Sequence, residues 1–173
     1  MKMTNGKNIL IYGYGNPGRQ DDGLGPALVE TLGKWLTKKQ VEHVTLDSNY
    51  QLQVEDVTVI HDKDLVIFVD ASMKENIRDV KMEPLEADPH STFTMHAISP
   101  EYILALCRKI YGQHPPSYLL HIRGYEWEIN REISKPARHN MEKAGETLRE
   151  IIHNPDVLDH DNPRTASSEV SGT

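Results

Sequence analysis

A chain of 173 residues with a formal net charge of −7 is long enough for one well-filled core, and nothing in it reads as a second domain. The acidic balance, without a run of Lys and Arg long enough to make a basic patch, argues against a nucleic-acid partner. No apolar run approaches the roughly 18 residues of a membrane span, and the polar start, Met1 to Asn8, lacks the apolar stretch of a secretion signal. A single cysteine, Cys107, excludes an internal disulfide framework, so the cytoplasm is the expected compartment.

Asn8 to Tyr14 is the first predicted strand. Its Ile, Leu, Ile and Tyr run lacks clean alternation, as in a strand covered on both faces. A glycine-rich turn and the paired carboxylates Asp21-Asp22 follow. From about Pro26 to Lys39 the residues Leu28, Val29, Leu32, Trp35 and Leu36 form one apolar helical stripe. Pro26 suits the first turn, where its missing N–H costs little, and Trp35 reads as a core anchor. Glu42 to Asp47 is a second strand that ends in the polar turn Ser48-Asn49. Gln51 to His61 mixes both periods, and its place between two strands favours a helix. Leu65 to Val69 is the strongest strand, closing on Asp70-Ala71-Ser72. Val80 to Leu85 alternates and reads as an edge strand; Glu86 to Thr94 is loop.

Ser99 is the expected N-cap of a helix reaching about Tyr111, with Pro100 at its first position and Ile103, Leu104 and Cys107 inward. Tyr118 to Ile122 is a further strand. Lys135 to about Ile152 is the last helix, with Met141, Ala144, Leu148, Ile151 and Ile152 inward. Residues 154–173 are polar, with too few apolar groups to offset their ordering entropy. The expected organisation is one domain over 1–153 and a flexible tail. Alternating strands and helices predict an α/β fold, a three-layer α/β/α sandwich around a mostly parallel twisted sheet of about five strands. In such folds the working site lies at the carboxyl ends of the strands. That rule places Asp22, after the first strand, and Asp70, ending the third, on one rim.

The turn admits three readings. Gly13-x-Gly15-x-x-Gly18 matches the dinucleotide fingerprint literally, but that motif needs its third glycine inside the opening helix. Here Arg19-Gln20-Asp21-Asp22-Gly23 intervenes, and two carboxylates would face the pyrophosphate. Gly15-Asn16-Pro17-Gly18 after a strand also resembles the opening of peptidyl-tRNA hydrolases, whose Thr-Arg-His-Asn-x-Gly segment is absent. Arg138-His139-Asn140 falls inside the last helix, where a solvated face is expected.

The third reading fits best. Gly-x-Gly-Asn, a short spacer and Asp-Asp-Gly-x-Gly-Pro resemble the [NiFe] hydrogenase maturation proteases, endopeptidases that remove a C-terminal extension from the hydrogenase large subunit. Their second mark, a carboxylate ending an apolar strand, corresponds to Leu65-Val66-Ile67-Phe68-Val69-Asp70-Ala71. The third, a His in a Ser/Thr-rich loop opening a helix, corresponds to Ser91 through Pro100 with His96. The resemblance covers roughly Asn8 to Ile152. It implies Asp22, Asp70 and His96 as ligands of a nickel that the client precursor carries in, so that only a loaded precursor is cut; the free protein's site is empty or holds another divalent metal. Two carboxylates and an imidazole can bind such an ion. Asp22 or Asp21 is the candidate general base, although Asp21 also suits a loop-ordering role. Gly15, Asn16, Asn49 and Tyr125 are candidate client contacts. The implied partners are the large-subunit precursor and other hydrogenase maturation factors.

The chain departs from the family pattern at Asp47-Ser48-Asn49 and at Arg123-Gly124-Tyr125-Glu126-Trp127-Glu128, two turns expected to contact the client. Taken alone, Asp21-Asp22 is also what charge near a helix N-terminus requires, and a lone His96 is ordinarily structural. His43, His61, His90, His114, His121, His139, His153 and His160 pair at no ligand spacing. A nickel-sensing chaperone that binds without cutting, and a free-standing metallohydrolase with its own zinc, are the competing functions.

Overall fold

The two faces of β1 (Ile9–Tyr14) set the architecture. Ile9 and Ile11 point to one side, Leu10 and Tyr12 to the other, and all four are buried. A strand apolar on both faces has to be covered on both. The computed structural model describes residues 6–91 and 97–160 and shows that arrangement: helices flank a five-stranded sheet on both sides, in the order β2-β1-β3-β5-β4. The other strands are β2 (Val44–Asn49), β3 (Leu65–Ser72), β4 (Val80–Pro84) and β5 (Ser117–Arg123). β1 runs parallel to β2 and β3, and β3 parallel to β5; only the edge strand β4 is antiparallel.

Helices α1 (Leu24–Lys39) and α4 (Lys135–His153) cover one face, packing on Ile9, Ile11, Ile67, Val69 and Leu120. The short α2 (Val57–Ile60) and α3 (Pro100–Tyr111) cover the other, over Leu10, Val66 and Phe68. Strand parity assigns the remaining residues. Tyr14 continues the Leu10–Tyr12 side of β1, and Asp70 the Val66–Phe68 side of β3. Both therefore lie on the α2/α3 face at the carboxyl rim. β1 has β2 on one side and β3 on the other, so the β1/β3 boundary is the switch point at which such sheets open a crevice.

Several expectations are met in detail. Ser99 caps α3 by accepting the Tyr102 N–H at 3.1 Å, Cys107 is buried in the core, and half-buried Trp35 packs against the core edge. Others are corrected. α1 begins at Leu24, ahead of Pro26, after a 3-10 turn over Gln20–Gly23; proline is tolerated throughout the first turn because those N–H groups have no intrahelical partner. β2 continues through Ser48 and Asn49, paired with Gly13 and Tyr14, where a turn was expected. The 51–61 segment yields only a 3-10 turn and the single turn of α2. The polar tail begins later than Asn154: α5 (Val157–His160) carries Leu158 into the core, and Asp156 pairs with Lys7. The rest of the expected tail lies outside the described residues. Asn140, expected on a solvated face, is buried and donates to the Arg123 carbonyl and to the Tyr125 hydroxyl.

Candidate functional site

The turn after β1 is shaped by its own carboxylates. Gly15 has φ +141°, and a Cβ there would lie 2.0 Å from the Asp22 carbonyl oxygen. Only glycine lets the chain double back this closely. The Asn16 N–H donates to Asp22 Oδ2 at 2.9 Å, and Asn16 Oδ1 accepts the Gly18 N–H at 2.9 Å. The Gly15 N–H donates to the Asn49 carbonyl at 3.1 Å. Gly15, Asn16 and Asn49 are therefore neighbours on the rim, grouped around Asp22.

Asp21 and Asp22 are adjacent in sequence and opposite in environment. Asp21 is fully buried. Its Oδ2 accepts the N–H groups of Tyr125 and Glu126 and the Ser134 hydroxyl, and its Oδ1 accepts the Ser134 N–H, all within 3.0 Å. Burial alone would raise its pKa, but these four hydrogen bonds outweigh burial and hold it below the usual carboxylate range. Gln20 extends the joint: its amide carbonyl accepts the Glu128 N–H and its NH2 donates to Glu126. Two loops distant in sequence are thereby fastened together, and the backbone of Tyr125 is part of the fastening. The Tyr125 ring itself is exposed.

Asp22 is half-buried, with one oxygen taken by Asn16. Across the crevice stands Asp70. Burial, and then the negative charge of Asp22, push Asp70 up to about 7. The Tyr14 hydroxyl, close to Asp70, opposes that shift. The phenol is itself raised well above its ordinary range by burial and by the charges of Asp70 and Glu101, so it remains a donor. Two facing carboxylates, one unable to ionise freely, form a site short of positive charge. A divalent cation fits that donor set. Two donors do not make a closed metal site, and among the described residues no group of three His, Cys, Asp or Glu is placed to hold an ion. His96 lies outside the described residues. The segment's flanks are joined by a 2.8 Å hydrogen bond between the Ser91 and Ser99 hydroxyls, and Glu101 in the first turn of α3 lies close enough to bias Tyr14.

Sequence reasoning missed three contributors. Tyr14 lies on the Asp70 face by strand parity, a signal present in the sequence. Gln20 and Ser134 gave none, because their roles depend on a loop more than 100 residues away.

No protein-family model matches the chain, and no curated protein matches it. Solved structures do. The [NiFe] hydrogenase maturation protease HycI from Thermococcus kodakarensis KOD1 superposes with a TM-score of 0.67 at 23% identity, over 87% of this chain and 96% of that one. The hydrogenase maturating endopeptidase HybD from E. coli gives 0.65 at 18% identity, over 82% and 89%. A hydrogenase 2 maturation peptidase from a Thaumarchaeota archaeon gives 0.60 at 22%, over 85% and 99%. Nearly the whole length of each is matched, so this chain has the fold of the [NiFe] hydrogenase maturation proteases.

Proposed function

We propose that the protein is an endopeptidase that removes the C-terminal extension of a [NiFe] hydrogenase large-subunit precursor, reading the precursor's nickel through Asp22, Asp70 and His96. The observation that carries this reading is the facing Asp22–Asp70 pair at the switch point, on a fold shared with solved maturation endopeptidases. The nickel arrives as part of the substrate. Asp22 and Asp70 offer it oxygens, and it supplies the positive charge that the pair lacks and a Lewis acid near the scissile carbonyl. His96, three residues ahead of the α3 cap, offers the imidazole nitrogen.

The chain's own residues divide the remaining work. Tyr14 stands beside Asp70 as a proton donor. Asp21, with both oxygens occupied, anchors the loop; Asp22, with an oxygen to spare, is the better placed to take a proton from an attacking water. Gly15, Asn16, Asn49 and Tyr125 offer backbone and side-chain contacts for the client around the same rim.

The test is mass spectrometry of a large-subunit precursor, nickel-loaded or empty, after incubation with the protein. Loss of the extension from the loaded form alone is expected. Asp22→Ala, Asp70→Ala and His96→Ala should each lower the rate by at least ~100-fold. Full activity in any one of them removes that residue from the site. Tight binding without a change in mass would make the protein a chaperone, and stoichiometric zinc in the purified protein would favour a free-standing metallohydrolase.

A further inference from the structure

We infer that Arg123 is a carboxylate anchor for the client's C-terminal extension; this rests on the function proposed above. Arg123 ends β5, in register with Ser72, two residues beyond the pairing of Asp70 with His121. By strand parity it shares the face of Asp70, one strand over and further out on the rim.

Its guanidinium is held in place but not neutralised. Nη1 donates to the Met73 carbonyl at 3.1 Å, and the guanidinium carbon lies 5.4 Å from the centre of the Tyr125 ring. The backbone is fixed as well: the Arg123 N–H donates to the Asp79 carbonyl, and its carbonyl accepts the Asn140 side chain. Among the described residues Arg123 has no carboxylate partner, and its Nε is buried without any hydrogen-bond partner.

In a chain of net charge −7, an arginine without a counter-ion is not explained by a shortage of acids. The neighbouring carboxylates are engaged elsewhere. Asp79 pairs with Lys143 at 2.7 Å. Glu83 accepts from His121 at 2.6 Å and from Lys81 at 2.8 Å, and Glu126 accepts from Gln20. A planar guanidinium whose outer Nη edge has no acidic partner matches a carboxylate in the two-point manner that lysine cannot. Met73 and Tyr125, both exposed beside it, supply apolar contact for the stem of an incoming peptide. The placement fits a peptide whose scissile bond lies at Asp22 and Asp70 and whose carboxylate reaches outward along β5.

That carboxylate is either an Asp or Glu side chain of the extension or the chain's terminal carboxylate. Steady-state cleavage of the loaded precursor, by wild type, Arg123→Gln and Arg123→Lys, tests the anchor. For Arg123→Gln, KM is expected to rise by about 10- to 100-fold, the size of a charge-assisted hydrogen bond, with kcat within about twofold. Arg123→Lys should fall between the two, because it keeps the charge and loses the fork. A precursor semisynthesised with an amidated C-terminus, and one with Asn or Gln for each acid of the extension, identify the source. One of these should raise KM with wild type and add nothing further with Arg123→Gln. An unchanged KM for Arg123→Gln, or a wild type indifferent to both altered precursors, overturns the inference while leaving the cleavage reading intact. No cleavage by wild type removes both. Should Arg123→Gln melt well below wild type, the two altered precursors decide the matter with the unaltered protein.

Discussion

Asp21 and Asp22 belong to two regions that meet within one turn. The joint around Asp21 fastens the first loop to the loop before α4, and every acceptor position that its surroundings can use is taken. At the rim, Asp22 and Asp70 face each other with fewer partners than their charge requires. The same side chain serves the fold in one region and is left open to a ligand in the other. Which role a carboxylate has is set by the donors around it, and adjacency in sequence is a poor guide. The difference also fixes unequal responses to mutation and opposite responses to pH.

Truncation gives the largest contrast. Asp21→Ala strands three backbone N–H groups and the Ser134 hydroxyl in a buried joint, which should cost ~3–5 kcal/mol in a urea melt. Asp22→Ala removes a half-buried group with one hydrogen bond and should cost about 1 kcal/mol or less. Equal losses in the two variants would erase the distinction between joint and rim.

The pH response is smaller and has opposite signs. The Asp21 carboxyl is held below its unfolded value, so its stabilisation is present above that value, about 4, and lost as pH falls through the folded one. Asp70 is raised to about 7. Between its unfolded and folded values the native state holds a proton that the unfolded chain does not, so stability falls as pH rises across that window. Asp70→Asn should flatten that slope in metal-free protein. Relative to wild type the variant should gain ~1–3 kcal/mol on the neutral side, allowing for solvent screening of a partly exposed site. A wild-type slope that survives in Asp70→Asn would place the titration on another group.

The sequence carried more of the rim than of the joint. Strand order and the carboxyl-end rule put Asp22 and Asp70 on one edge without any coordinates, since Asp70 closes one buried apolar run and Asp22 lies in the turn after another. Tyr14 was legible by the same alternation. Gln20, Ser134 and Asn140 were not, because each is defined by a partner that only the folded topology brings near. Leu158 was hidden for a related reason: one apolar side chain in a polar stretch carries little weight until a core edge is there to receive it. The unpaired state of Arg123 was equally invisible, as it depends on which partners the neighbouring acids take.

Ser134 offers the finest test of the joint because it serves two masters. Its hydroxyl donates to Asp21 at 2.8 Å and accepts the Ala137 N–H at 3.4 Å as the cap of α4. Ser134→Ala removes both bonds, yet the Ser134 N–H still reaches Asp21 Oδ1 and the N–H groups of Tyr125 and Glu126 keep their acceptor. The loss should therefore be about 1–2 kcal/mol, the size of one cap plus one hydrogen bond. In an Asp21→Ala background, only the capping part should remain, about 1 kcal/mol or less. Full additivity of the two substitutions would mean that the serine acts on α4 alone and that the joint holds without its hydroxyl. Sub-additivity measured by urea melts would tie the cap of the last helix to the carboxylate beside the site.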